Sequence, residues 1–237
     1  WRIRGDPGQG VLNRERLDLA PLIDHALLDP HQGTEAIERC CDEARHFGFA
    51  GVCVASRWVG TARRKLPQAT GIKGQSPQLI AVVGFPFGAI PAAIKQAEAI
   101  AALEAGADEL DVVPDFGALA DGNSNAVLDD LAAICELDRP VKVIVEAGRL
   151  SADALALLVE ISLDAGVRFL KSGSGFGPPV TVEQITTLRS LARGRAAVKA
   201  SGGIASLEHA LELVEAGASR LGTSRGVALI QALRQQD

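Results

Sequence analysis

The chain has 237 residues, a net charge of −5 and 22% charged residues. This length allows one large domain or two small ones, and 47% hydrophobic residues can form a substantial core. The acidic balance gives no electrostatic reason to expect nucleic acid or an anionic membrane as a partner. No stretch reaches the roughly 18 apolar residues of a membrane span.

The N-terminal segment and the cysteines indicate where the domain begins and in which cellular compartment the chain works. The polar, Gly-rich start WRIRGDPGQG is unlike a signal peptide and predicts a flexible arm over residues 1–15, followed by one domain over residues 16–237. The cysteines lack CxxC spacing and do not cluster with histidines, so we expect no zinc site and a reduced, cytoplasmic setting. They are Cys40, Cys41, Cys53 and Cys135.

Eight short apolar segments alternate with longer Ala/Leu-rich helical segments. In chain order the strand candidates are PLIDHAL, AGVCVAS, LIAVVGF, ELDVVP, VKVIVEA, FLKSG, AAVKASG and RLGTS. Because parallel strands need crossover connections, this alternation predicts a parallel sheet, and eight units predict a (β/α)₈ TIM barrel. A doubly wound open sheet is the alternative, although no linker or change in composition divides the chain. Ser151, Thr181 and Ser206 mark helix starts.

A weak internal repeat places four residues at comparable heights on their strands. The segments LEAGADELD, LDAGVRFLK and VEAGASRLG share a helix end, a glycine and a following strand. Five residues beyond each glycine stand Asp111, Lys171 and Gly222, and Gly48 leads to Cys53 by the same spacing. Polar residues near the carboxyl ends of barrel strands face the active-site mouth, so we expect these residues there.

Two lysines, Lys171 and Lys199, each end a strand and open a Gly/Ser-rich loop, in FLKSGSGFG and AAVKASGG. A buried ammonium is costly, and two nearby ammonium groups repel, which favours a neutral, nucleophilic amine. This pattern predicts a Schiff-base enzyme. The alternative is a structural ion network with Asp111 and Glu146. Beside two lysines, Asp111 is also a candidate proton carrier, and Asp24 is a similar buried acid in or beside the site.

Glycine-rich turns end the last two predicted strands. Residues 201–203 and 222–224 precede helices at the two loops where barrels often bind phosphate. Exposed backbone N–H groups and the hydroxyl of Ser224 would serve there as donors. Arg225 either adds positive charge or belongs to the solvated first turn of the last helix.

The segments LIDHALLDP, GVCVAS, VVGFPFGA, GADELDVV, VKVIVEAG, FLKSGSGFG, VKASGGI and RLGTSRGVAL, in this order, resemble deoxyribose-phosphate aldolase, a class I aldolase of the (β/α)₈ type. The resemblance covers nearly everything after about residue 20. It implies a lyase that reversibly cleaves 2-deoxy-D-ribose 5-phosphate into acetaldehyde and D-glyceraldehyde 3-phosphate through a lysine Schiff base, without metal or cofactor. The expected partner is thus a phosphorylated sugar, and a homodimer is expected.

The resemblance also implies residue roles. Lys171 forms the Schiff base, Lys199 tunes it and Asp111 joins the proton relay. Asp24 supports the relay or binds substrate hydroxyls, and Cys53 lies near the site. The remaining substrate-binding positions, most of them for the phosphate, are Ser174, Gly175, Gly202, Gly203 and Ser224.

Six positions depart from the usual family pattern and bear on aldehyde preference, phosphate affinity and efficiency: Ala26, Asp29, Asp115, Gly173, Ala205 and Arg225. Two other functions are also compatible with the sequence. One is another imine-forming barrel enzyme acting on a different phosphorylated aldehyde or ketone. The other is a catalytically silent phosphometabolite-binding barrel that keeps its lysines for ion pairing.

Overall fold

A computed structural model of the chain describes residues 18–66 and 76–235. The predicted arm over residues 1–15 lies outside the described residues, so its order stays a prediction. The described residues form a closed barrel of eight parallel strands in chain order, with β8 pairing β1. The (β/α)₈ prediction is confirmed and the open-sheet alternative is wrong. The strands are β1 Ile23–Leu27, β2 Gly51–Ala55, β3 Gln78–Val83, β4 Glu109–Val112, β5 Val141–Ile144, β6 Phe169–Lys171, β7 Ala197–Ser201 and β8 Arg220–Thr223.

Helices follow the strands and surround the barrel. They are α1 Thr34–Phe47, α2 Val59–Lys65, α3 Ala92–Glu104, α4 Phe116–Ala120, α5 Ser124–Cys135, α6 Ala152–Asp164, α7 Val182–Ala192, α8 Leu207–Glu215 and α9 Gly226–Arg234. The predicted caps are confirmed, because the side chains of Ser151, Thr181 and Ser206 accept backbone N–H groups in the first turns of α6, α7 and α8. None of the helices described is long and apolar enough to cross a membrane.

The strands contribute side chains to two interiors, the layer between strands and helices and the inside of the barrel. Outward-facing strand residues such as Leu110 and Val143 pack against helix residues such as Leu131 in one large hydrophobic core. The barrel interior holds only a small separate apolar cluster of Cys53, Ile80 and Val82. Because successive strand residues point to opposite faces, one short strand can serve both interiors. The rest of the barrel interior is therefore available for polar residues.

A buried ion pair also lies between the helices outside the barrel. The ammonium of Lys95 in α3 is 2.5 Å from a carboxylate oxygen of Asp130 in α5, and both side chains are almost fully shielded from solvent. Removing one member of such a pair leaves the other charge buried without compensation.

The substitution Asp130→Asn should therefore destabilise the fold by about 3–5 kcal/mol. Urea unfolding monitored by circular dichroism would measure this change. Asp129→Asn is the matched control, because Asp129 is a neighbouring but exposed residue of the same helix. Equal stability of the two variants would contradict the assigned role of the pair.

Candidate functional site

A cavity of about 480 Å³ opens at the carboxyl ends of the strands. Eight of the ten predicted site residues line it: Cys53, Lys171, Ser174, Gly175, Lys199, Gly202, Gly203 and Ser224. The other two, Asp24 and Asp111, are fully buried among the inward-facing side chains of the barrel. The structure therefore brings together residues that lie on β1, β2, β4, β6, β7 and the loop after β8.

Lys171 and Lys199 are register partners on the neighbouring strands β6 and β7. Both ammonium nitrogens lie 2.9 Å from the same oxygen of Asp111, Oδ2. One carboxylate oxygen thus separates the two lysines that the sequence predicted to repel each other. Lys199 also contacts Asp24 at 2.6 Å, whereas Lys171 pairs with no carboxylate other than Asp111 among residues 18–66 and 76–235.

The spacing of five residues after glycine selects one layer of the barrel interior. Cys53, Asp111 and Lys171 come from alternate strands, and the Cys53 sulfur lies 3.8 Å from Asp111 Oδ2. Gly222 faces the same interior, because a Cβ there would stand 3.0 Å from Cε of Lys199. Four inward residues from alternate strands are the expected composition of a barrel layer. The contacts of Asp111 with Cys53 and Lys171 confirm the predicted common height for these three residues.

Six charged side chains form a closed ring of alternating sign inside the barrel. In order around the ring they are Lys142, Asp111, Lys199, Asp24, Arg220 and Glu109. Within the ring, each carboxylate contacts two cations and each cation contacts two carboxylates. We call these six residues the charge ring. With three charges of each sign, the charge ring is neutral as a whole. Lys171 lies outside the ring and contacts it through Asp111.

The contacts of the charge ring are short except at one position. Lys142 lies 2.5 Å from Glu109 and 3.0 Å from Asp111. Arg220 lies 2.5 Å from Asp24 but 3.7 Å from Glu109. Because these groups are buried, attraction at these distances is much stronger than it would be in water.

The charge ring shifts the titration of its members. Burial by itself raises the pKa of Asp111, but Lys142, Lys171 and Lys199 outweigh burial and hold it well below the ordinary value of 3.8. Burial likewise opposes the shift at Lys199, where Asp111 and Asp24 raise the pKa above the ordinary value of 10.5. Asp24 therefore faces a permanently charged Lys199, and its own pKa is lowered by Lys199 and Arg220 against the effect of burial.

Cys53 lines the cavity as a thiol. Burial raises the pKa of this cysteine to about 11, and the charge of Asp111 adds to the effect. A thiol of this kind is a poor nucleophile at neutral pH. Cys53 is thus a small wall residue of the cavity beside Asp111.

The two loops after β7 and β8 meet at the rim of the cavity. Gly202 and Gly203 have φ angles of 109° and 70°, in the left-handed region that favours glycine. The hydroxyl of Thr223 donates to the carbonyl of Ile204 and accepts the backbone N–H of Arg225. This bridge fixes the start of α9 against the β7 loop.

Of the six positions that depart from the family pattern, four line the cavity: Ala26, Asp29, Ala205 and Arg225. Asp115 instead caps α4, where its side chain accepts the backbone N–H of Ala118. At Gly173 a Cβ would stand 3.2 Å from the carbonyl oxygen of Ser201, so the close approach of the β6 and β7 ends favours glycine.

Glu109 and Arg220 were not among the site residues predicted from the sequence. A signal was available, because each stands two residues before an inward-facing residue, Asp111 and Gly222, and strand residues two apart share a face. Lys142 joins the same group of charges from β5, through its contacts with Glu109 and Asp111. Across the described residues, no group of three or more His, Cys, Asp or Glu side chains is suited to hold a metal ion.

Comparison with known proteins places this site in a family. No family model matches the chain. Among solved structures it is similar to QR15, an aldolase, with a TM-score of 0.86 and 34% identity, covering 93% of this chain and 97% of that one. It is also similar to the deoxyribose phosphate aldolase of Aeropyrum pernix, described as tetrameric, with a TM-score of 0.81 and 33% identity over 94% and 93% of the two chains. Fold and site together define an aldolase, a carbon–carbon lyase built on a (β/α)₈ barrel.

Curated relatives narrow the class. The deoxyribose-phosphate aldolase of Thermosynechococcus vestitus is 48% identical over 222 residues, which cover 93% of this chain and all of that protein. That of Crocosphaera subtropica is 43% identical over 91% and 96% of the two chains. The chain belongs to the deoxyribose-phosphate aldolase family.

The lowered pKa of Asp111 predicts a pH-dependent contribution to stability. A depressed carboxyl pKa stabilises the fold above the ordinary value of 3.8, and this stabilisation is lost as the pH falls through the folded-state pKa. Asp111→Asn should therefore be less stable than the wild type by about 3–5 kcal/mol at pH 7. The difference should narrow as the pH falls below about 4, because Asp111 of the unfolded wild-type chain then binds a proton that the folded state takes up only at a lower pH.

Urea unfolding at a series of pH values would measure this difference. Asp24→Asn should behave in the same way, since its pKa is lowered by the same kind of contacts. The exposed Asp129→Asn should show a difference near zero throughout. A difference at Asp111 that does not change with pH would contradict the assigned charge state.

Proposed function

We propose that the chain reversibly cleaves 2-deoxy-D-ribose 5-phosphate into acetaldehyde and D-glyceraldehyde 3-phosphate through a Schiff base on Lys171. The assignment of the substrate is supported by the relatives, which are named deoxyribose-phosphate aldolases. The observation that carries the assignment of the nucleophile is the position of Lys171. It lines the cavity, and it is attached to a charge ring that is already neutral without it.

Charge balance distinguishes Lys171 from the other buried cations. The barrel interior holds four cations against three carboxylates when all are ionised. Lys142, Lys199 and Arg220 each link two carboxylates of the charge ring, whereas Lys171 lies outside the ring and contacts Asp111. The Lys171 nitrogen can therefore enter a covalent bond without breaking the charge ring. A neutral amine is the form that attacks an aldehyde.

The proposed steps follow from this arrangement. The Lys171 amine attacks the C1 aldehyde of the open-chain sugar, and loss of water gives a protonated imine. This imine accepts the electron pair of the C2–C3 bond as the C3 hydroxyl loses its proton, which releases D-glyceraldehyde 3-phosphate. The remaining enamine is protonated at carbon, and hydrolysis of the imine releases acetaldehyde and restores the amine.

Asp111 and Lys199 serve the proton transfers in this proposal. Asp111 Oδ2 lies 2.9 Å from both lysine nitrogens, which is hydrogen-bond distance. Lys199 stays positively charged because Asp111 and Asp24 raise its pKa. This fixed ammonium beside Lys171 can exchange protons with the substrate through Asp111 and water. Asp24 holds Lys199 in place.

The rim of the cavity is suited to a phosphate. Gly202, Gly203 and Ser224 lie at the two loops where barrels often bind phosphate, and Gly175 lines the cavity from the β6 side. Arg225 also lines the cavity and is exposed. Within residues 18–66 and 76–235, the structure gives its guanidinium no carboxylate partner. We include Arg225 in the phosphate site because a phosphate would supply the missing counter-ion.

Assembly and setting are further parts of the proposal. We propose a homodimer in a reducing cytoplasm. One structural relative is described as tetrameric, which shows that chains of this fold can associate with copies of themselves. All four cysteines of this chain are free thiols, as expected in a reducing compartment. Light scattering coupled to gel filtration would measure the mass of the assembly.

Trapping of the imine tests the nucleophile. Incubation with acetaldehyde and borohydride should reduce the Schiff base and label Lys171, and peptide mass spectrometry would locate the adduct. Lys171→Leu should abolish the label and lower kcat by more than about 10⁴-fold, because the covalent step is lost. Lys65→Leu is the control, since Lys65 lies on α2 and pairs with Asp42.

The same experiment separates the competing functions. A label at another lysine would contradict the proposal. An adduct at Lys171 without turnover of deoxyribose 5-phosphate, but with turnover of another phosphorylated aldehyde or ketone, would establish the alternative imine enzyme. Thermal stabilisation by the sugar phosphate without label or turnover would establish the silent binding protein.

Arg225→Ser tests the phosphate site. The variant should raise KM for deoxyribose 5-phosphate about fivefold, as expected for the loss of roughly 1 kcal/mol from an exposed ion pair. It should leave kcat/KM for unphosphorylated deoxyribose within about twofold, because that sugar lacks the charged partner. Arg139→Ser is the control, since Arg139 is exposed in the loop before β5, at the opposite end of the barrel. Equal effects on both sugars would remove Arg225 from the phosphate site.

A further inference from the structure

Glu146, directly after β5, is a buried carboxylate in a conformation unusual for its residue type. Its φ angle is 46°, in the left-handed region, and the residue is 7% exposed. Only a few residue types tolerate this region without strain, and strained residues persist where the surroundings hold them. The backbone on either side stays paired with β6, since Val145 N–H donates to the carbonyl of Lys171 and Ala147 N–H to that of Ser172. The unusual φ therefore serves the placement of the Glu146 side chain.

The Glu146 carboxylate reaches the loop that follows the Schiff-base lysine. Its Oε1 accepts the backbone N–H of Ser174 at 2.6 Å. Its Oε2 occupies the space beside Gly177, where an added Cβ would stand only 2.4 Å away. Arg149 completes the contact, because its guanidinium donates to the carbonyl of Phe176 at 3.0 Å and lies 3.9 Å from Glu146 Oε2.

The loop that receives these contacts is rich in glycine. Three of the five residues from 173 to 177 are glycines, which lose more conformational freedom on folding than any other residue. Yet Ser174, Gly175 and Phe176 all line the cavity that contains Lys171. A wall of a binding site must be held in one geometry to bind well.

We propose that Glu146 and Arg149 form a clamp that positions residues 174–177 as a wall of the substrate site. Glu146 is a positioning residue here, since it acts through the backbone of Ser174 and not on the reacting atoms. The clamp does not hold Lys171, whose carbonyl is fixed by the pairing of β5 with β6. The proposal rests on the proposed function of the cavity and concerns substrate affinity, not the covalent step.

The substitution Glu146→Ala should therefore raise KM for deoxyribose 5-phosphate by about tenfold while kcat stays within about threefold, because a charge-assisted hydrogen bond to the wall is lost. Glu146→Gln keeps an oxygen that can accept the Ser174 N–H and should recover most of the affinity. An unchanged KM in Glu146→Ala, or a Gln variant as impaired as the Ala variant, would overturn the clamp.

Gly177→Ala provides an independent test of the same geometry. The new methyl group collides with Glu146 Oε2 and should by itself raise KM, also by about tenfold. In the Glu146→Ala background the oxygen is absent, so the same substitution should add no more than about a twofold change. Gly60→Ala is the matched control, because a Cβ at Gly60 meets nothing within 4 Å. Effects of Glu146→Ala and Gly177→Ala that multiply would contradict the proposal.

The outcomes are distinguishable from a failure of the proposed function. Borohydride trapping with acetaldehyde should still label Lys171 in Glu146→Ala, whereas a missing label in the wild type would refute the Schiff base itself. If Glu146→Ala does not fold, Glu146→Gln and Gly177→Ala carry the test. An unchanged KM in Gly177→Ala would then overturn the clamp.

Discussion

One carboxylate oxygen, Oδ2 of Asp111, organises the interior of this barrel. It accepts hydrogen bonds from both Lys171 and Lys199. The other oxygen of Asp111 faces Lys142 at 3.0 Å. Because one carboxylate cannot neutralise three ammonium groups, the structure needs further acids nearby. Asp24 and Glu109 meet that need, and with them the arrangement closes into the charge ring.

The charge ring explains why two chemically similar lysines differ. Lys199 contacts two carboxylates, Asp24 and Asp111, and stays charged. Lys171 contacts Asp111 through Oδ2, the same oxygen that Lys199 contacts. A buried ion pair contributes little net stability, since the cost of desolvation offsets most of the attraction. The charged interior therefore adds little to stability, which the separate hydrophobic core between strands and helices supplies.

Strands and loops contribute differently to the mouth of the barrel. The buried charged groups stand on strands, whose hydrogen-bonded ladders fix them, while much of the cavity rim stands on glycine-rich loops. Such loops allow close approach of backbone to a ligand, but they need external restraint. Thr223 bridges the loops after β7 and β8, and Glu146 with Arg149 contacts the loop after β6. Each loop is thus tied to a neighbouring unit of the barrel.

The sequence by itself determined the eight strands, the three helix caps and the glycine spacing that puts Asp111, Lys171 and Cys53 in one layer. These features depend on local periodicity, capping and turn chemistry, which a linear pattern carries. Only the tertiary structure decided how the charges pair. Arg220 meets Asp24 across 196 positions of the chain, and Lys199 meets Asp111 across 88. Strand periodicity gives the face and height of a residue, but barrel closure and side-chain reach decide which charges touch. For the same reason the sequence named both lysines, while the shared oxygen of Asp111 and the reach of Glu146 to Ser174 came from the fold.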